Sequence, residues 1–240
     1  MNFLAHYYFN KDNNDNYFTV GLTMPDLLSF HSRKIRLTKS TLKNLFTREK
    51  NDNIKSHIIG MIIHLDLDNW FHSSDFFKKN LIFLQSKYTD FNKEKIELPN
   101  FYSHIILEIF IDRYLLTIQP DIADNFYMSY KKFNFSEISR LFDKSEDFDN
   151  SNFLSFANDF ANSNFLKEYT DNYSIISILA RVSRKVGLPM MLDADMEEFA
   201  FFIKTSYNEL QAEIKYLINF VKNTLCINKN KIIKNYLSVT

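Results

Sequence analysis

The stretch His57-Ile-Ile-Gly-Met-Ile-Ile-His64-Leu-Asp-Leu-Asp68-Asn-Trp-Phe-His72 decides how the chain is read. From His64 onward an ionisable residue recurs every fourth position inside an apolar run. A helix turns about 100° per residue, so steps of four turn about 40° and keep such residues on one face. With His64 at zero, His57 falls at about +20°, Asp68 at about +40° and His72 at about +80°, while Asp66 points away. Leu67 and Phe71 border this face, which predicts that it meets protein and not simply bulk water. A second stretch, His104-Ile-Ile-Leu-Glu108-Ile-Phe-Ile-Asp112, repeats the pattern beside Ile111 and Leu115. Two such helical stripes facing one another could hold a metal ion.

Turn chemistry points the same way. Three glycines and four prolines in 240 residues are too few to punctuate a strand every ten residues or so, and the expectation is an all-α, single-domain helical bundle over residues 1–240. Helices are predicted at about 2–9, 17–31, 39–47, 52–73, 75–89, 100–118, 121–132, 135–143, 150–165, 171–186 and 193–226, with Pro25 interrupting or restarting the second. Asn10 to Asn16 and Lys144 to Ser151 read as polar loops, too short for domain linkers. Gly187-Leu188-Pro189 is a stop signal, after which Asp193 or Asp195 could cap the last helix.

Composition excludes several classes. The chain is 45% hydrophobic and 16% aromatic, enough to bury a substantial core. Its 29 basic and 29 acidic side chains give a formal net charge of zero, so no global field favours nucleic acid or an anionic membrane. The most apolar windows, Ile58 to Trp70 and Ile105 to Leu116, carry charged residues and predict buried helices, not membrane spans. The opening Met1-Asn2-Phe3-Leu4-Ala5-His6 lacks a basic region, which argues against a secretory signal. The single Cys226 excludes an intramolecular disulfide and a multi-thiolate metal site. A reducing, cytoplasmic setting is the expectation.

Imidazole and carboxylate are the donors that borderline and hard divalent ions prefer, and the i, i+4 spacing lets one helix offer two of them to one ion. Helix bundles build metal centres by projecting such residues inward from facing helices. The spacing alone leaves other readings open. His64 and Asp68 could be a hydrogen-bonded core pair with His72 capping the helix end, and His104, Glu108 and Asp112 could line a solvated acidic face. His6 lies among apolar residues, as core histidines do. Asp26, in Met24-Pro25-Asp26-Leu27-Leu28, either caps a helix after Pro25 or needs a partner that repays burial of a carboxylate.

Met1-Asn2-Phe3-Leu4-Ala5-His6, then Gly21-x-x-x-x-Asp26, Gly60-x-x-x-His64-x-x-x-Asp68 and Asp112-x-Tyr114-Leu115, in that order, resemble the acyl carrier protein phosphodiesterase family, itself related to the HD-type metal-dependent phosphohydrolases. Arg184-Lys185 and the later Tyr207-x-x-Leu210-x-x-x-Ile214-x-x-Leu217-x-x-Phe220 resemble that family's final long helix. The chain departs from the pattern where Asp112 is followed by Arg113 instead of histidine, where Ile62 replaces a histidine, and where His72 replaces an aspartate. It is also longer than typical members, with extra material around 74–100 and 133–165.

The resemblance implies a hydrolase that uses a divalent ion, Mn2+ in the first place with Mg2+ or Fe2+ as alternatives, to release 4′-phosphopantetheine from holo-acyl carrier protein. It carries His6, Asp26, His64, Asp68 and Asp112 into a metal set, with Asp26 and Asp68 in catalytic roles. His72, His104 and Glu108 are available as relocated ligands, and Arg113, Arg181 and Arg184 could hold a phosphoryl oxygen. An acidic carrier protein would need basic docking residues, for which Arg33-Lys34-Ile35-Arg36, Lys131-Lys132 and Arg181-Val-Ser-Arg184-Lys185 are candidates. Two other readings stand beside this one: a non-catalytic helical binding protein that keeps the fold, and an HD-like hydrolase of a small phosphorylated metabolite.

Overall fold

In a computed structural model of the chain, the described residues are all but 11–14, 33–36, 92–99, 143–147, 188–195 and 238–240, with the side chains of 91, 186 and 224–237 also left aside. Among them the regular structure is helical, with no strand. The helices are α1 (Phe3–Asn10), α2 (Asn16–Gly21), α3 (Met24–His31), α4 (Lys39–Arg48), α5 (Asp52–Ser73), α6 (Asp75–Phe91), α7 (Asn100–Ile118), α8 (Ile122–Lys131), α9 (Phe135–Ser139), α10 (Asn150–Ser163), α11 (Asn172–Val186) and α12 (Met196–Leu237), with a 3-10 turn over Phe165–Thr170. The expected all-α class is what the structure has. No described helix is long and apolar enough to cross a membrane. The basic run at 33–36, Pro189, the capping aspartates Asp193 and Asp195, and the Cys226 side chain lie outside the described residues.

Short polar side chains start several of these helices. Asp15 accepts from the backbone N–H groups of Tyr17 and Phe18, Thr38 from Thr41, Asp149 from Asn152 and Asp171 from Ser174. Pro25 sits in the first turn of α3, where its missing N–H costs nothing, so the predicted helix 17–31 is two helices joined at Leu22 and Thr23. Gly187 ends α11 in the left-handed region at φ 69°, the role its place in the sequence predicts. Asn164 ends α10 the same way at φ 53°, and the predicted extension to 165 becomes the 3-10 turn.

The chain divides into two compact units, each built from separated stretches: Met1–Trp70, Asp121–Asn164 and Val221–Thr240 in the first, Phe71–Pro120 and Phe165–Phe220 in the second. In the first unit α8 packs on α1 and α2, and α10 on α3, α8 and α9. Its core is aromatic, with Phe3 5.0 Å from Phe160, Phe126 4.8 Å from Tyr130 and Tyr130 5.2 Å from Phe160, ring centre to ring centre. In the second unit α7 packs on α6, α11 and the 3-10 turn. There Phe110 meets Tyr207 at 5.4 Å and Tyr88 meets Phe202 at 5.3 Å.

Within the first unit, α2 and α5 approach one another most closely at two glycines. A Cβ on Gly60 of α5 would lie 2.4 Å from the Phe18 carbonyl oxygen and 2.9 Å from the backbone of Gly21 and Leu22. A Cβ on Gly21 would lie 2.2 Å from the carbonyl oxygen of His57. The facing glycines therefore let the end of α2 lie directly on the backbone of α5, nearer than any side chain would permit.

Candidate functional site

The backbone contact between α2 and α5 places the first turn after α2 beside His64. His64 Nδ1 is 2.8 Å from the Leu22 carbonyl oxygen. A carbonyl only accepts, so Nδ1 carries the proton and Nε2 keeps its lone pair. Nε2 points toward Asp26, 3.5 Å from Oδ1. Histidines that bind metals are typically fixed in this manner, with the distal nitrogen donating to a backbone carbonyl. His64 is buried, and burial, with the neighbouring His6 adding to it, pushes its pKa well below the ordinary imidazole value. The ring is neutral at physiological pH, the form a metal requires.

His6 on α1 stacks against His64, ring centres 4.0 Å apart and planes inclined by 28°. His6, Asp26 and His64 each offer a ligand atom, and these atoms all lie within 4.8 Å of one another. The two imidazoles are buried, whereas the Asp26 side chain keeps 28% of its surface exposed, so the group opens to solvent on the carboxylate side. Asp26 also lies in the first turn of α3, where the helix dipole favours negative charge. Thr23, just before α3, bonds to the Tyr130 hydroxyl of α8 and ties this corner to the aromatic core.

Asp68, one turn beyond His64, stands outside this trio. Its Oδ1 accepts from the Met1 ammonium at 2.6 Å and is 3.5 Å from His6 Nε2. Burial opposes its ionisation, but His6 and the Met1 ammonium hold the carboxyl well below the usual range. Asp68 is thus a carboxylate at neutral pH, placed beside the His6 ring.

The stripe read from spacing as one face does not act as one. His57 is fully buried and donates from Nδ1 to the Tyr17 carbonyl at 3.1 Å, its ring 5.5 Å from Phe133. His72 belongs to the second unit, where it joins His104 and Glu108 in another group of three. Asp112 is fully buried on α7 of that unit and is in neither group.

The three arginines all belong to the second unit. Arg113 donates from Nη1 to Asn172 at 2.7 Å and lies 4.3 Å above the Tyr207 ring, Arg181 is 3.6 Å from Glu168, and Arg184 is exposed on α11. The contacts that spacing did not foresee are the Leu22 carbonyl and the Thr23–Tyr130 bond. A backbone oxygen has no signature in the sequence, although Gly21 and Gly60 are the signal that two backbones touch there. In comparisons with protein-family models, with curated proteins and with solved structures, nothing matches the chain.

Proposed function

We propose that the first unit is a metal-dependent phosphodiester hydrolase whose divalent ion is held by His6, Asp26 and His64. The observation that carries this reading is the His64 ring, anchored through Nδ1 to a backbone carbonyl so that a neutral Nε2 faces a carboxylate and a second imidazole. Two imidazoles and one carboxylate suit Mn2+, Fe2+ or Zn2+ better than an all-oxygen ion. When bound there, such an ion supplies Lewis acidity toward a phosphoryl oxygen and acidifies water toward neutrality.

The remaining work falls to the chain. Asp26, partly exposed, meets the substrate side and can orient an attacking water or take its proton. Asp68 keeps the His6 imidazole in one orientation, and the Leu22 carbonyl does the same for His64. The ordered motifs that resemble the acyl carrier protein phosphodiesterases support holo-acyl carrier protein as substrate, with 4′-phosphopantetheine as the group released. Lys131 and Lys132, exposed at the end of α8 in the same unit, are the basic residues offered to an acidic partner. No phosphate contact is assigned to Arg113, Arg181 or Arg184.

The test is incubation of the purified chain with holo-acyl carrier protein and, in parallel, with small phosphodiesters, with and without Mn2+. Mn2+-dependent release that disappears in Asp26→Asn and His64→Ala supports the reading. Release from small diesters alone would move the substrate to a phosphorylated metabolite. No turnover on any of them, together with no Mn2+-induced rise in melting temperature, would refute the hydrolase.

A further inference from the structure

The second unit carries a three-residue convergence that the proposed hydrolase does not use. His104 and Glu108 stand one turn apart on α7, and His72 reaches them from the last turn of α5. His72 Nε2 is 2.9 Å from His104 Nε2, His104 Nε2 is 2.9 Å from Glu108 Oε1, and His72 Nε2 is 3.3 Å from the same Oε1. Three donor atoms from three side chains thus form a closed triangle. Two imidazole nitrogens at such a separation do not meet lone pair to lone pair: either the N–H of one ring points at the other nitrogen or an ion lies between them.

The triangle's edges of 2.9, 2.9 and 3.3 Å are a little under the ~3.4 Å between donors of a regular tetrahedral site with bonds of about 2.0–2.1 Å. Zinc-to-nitrogen and zinc-to-carboxylate bonds of about 2.0–2.2 Å place an ion about 1 Å above the plane of three donors spaced like these, on one side of all of them. The rings are held for that geometry by packing. Phe77 stands edge-on to both imidazoles, 4.8 Å from the His72 ring and 5.0 Å from the His104 ring, and Phe77 in turn rests on Phe71 at 5.1 Å. His72 and His104 keep about a third of their side-chain surface in solvent, at 31% and 37%, while Glu108 keeps 16%. Three protein donors with an open side leave room for water or an outside ligand.

We propose that His72, His104 and Glu108 form a second metal site, independent of His6, Asp26 and His64, that takes a borderline divalent ion of the Zn2+ or Co2+ kind. The donor set, two imidazoles and one carboxylate, disfavours Mg2+ and Ca2+. Bound there, the ion ties the last turn of α5 to α7 within the second unit.

The test is calorimetric titration of the metal-stripped full chain with Zn2+, backed by the visible absorption of Co2+ as a report on ligand number. Expected are two binding events in the native chain. His104→Ala, at a partly exposed helical position where alanine suits the helix, removes one event or weakens it at least tenfold. Glu108→Gln, nearly isosteric, does the same while keeping a hydrogen-bonding side chain. His64→Ala leaves this event in place, so failure of the first-unit reading and failure of this one are separable. Zn2+ isotherms and Co2+ spectra of His104→Ala and Glu108→Gln that coincide with those of the native chain would overturn the proposal, leaving a proton-sharing histidine pair.

Discussion

Gly60→Ala tests the link between fold and site most directly. The three atoms nearest the added methyl would all be backbone: the Phe18 carbonyl oxygen at 2.4 Å, and Gly21 C and Leu22 N at 2.9 Å each. No side chain can swing aside, so the end of α2 must retreat by about 1 Å to reach ordinary contact distance. Overpacking of this kind costs about 1–3 kcal/mol. Alanine recovers about 1 kcal/mol of helix propensity in α5, so a net loss of up to about 2 kcal/mol is expected. The retreat also carries the Leu22 carbonyl away from His64 Nδ1, which removes the bond that fixes the ring and leaves a buried donor unsatisfied. Urea unfolding measures the first effect and a Mn2+ titration the second, with binding expected to weaken by at least tenfold. A variant more stable than the native chain would show that the two helices do not meet backbone to backbone, and one that binds Mn2+ unchanged would show that the carbonyl does not hold the ring.

Two further outcomes are expected at buried or strained positions. Burial pushes the His57 imidazole down to about 4, so below its ordinary value of 6.5 the unfolded chain takes up the proton more readily. Its contribution is full above pH 6.5 and fades by about 3 kcal/mol as pH falls to 4; His57→Gln, which cannot titrate, should lose that much less over the same window in urea unfolding, and parallel pH profiles would contradict this. Asn164, at φ 53°, ends α10 in a conformation that costs a Cβ-bearing residue about 1 kcal/mol. Asn164→Gly should therefore leave the melting temperature unchanged or raise it while Asn164→Ala lowers it, and equal melting temperatures would dispose of the left-handed cap.

Much of the helical frame was legible because its signals are local. The apolar run around His64 and the one around Glu108 give helices at Asp52–Ser73 and Asn100–Ile118, the bounds expected of them. Pro25 announced a restart, and Gly187 a stop, since each acts on its own φ. The two units left no trace in composition, because the chain passes between them inside continuous helices such as α5, with no linker to read. The site was legible only in pieces. A helical wheel placed His57, His64 and His72 together, but a helix of 22 residues meets different neighbours along its length, so three residues on one face have three different surroundings. The meeting of His6 and Asp26 with His64 depends on helices brought together from separate parts of the chain, which periodicity does not encode. The motif resemblance named those residues; the geometry of the carbonyl behind His64 lay outside any pattern of side chains.

The assembly of the first unit from interrupted stretches has a consequence for its birth on the ribosome. Every proposed ligand of its ion has been polymerised by residue 64, yet the walls against which α1, α2 and α3 lie, α8 and α10, arrive only with residues 121–164. At ~5–20 residues per second, about 5–20 s separate the last ligand from the end of α10. During that interval the nascent chain holds the proposed ligand side chains without the helices that cradle them.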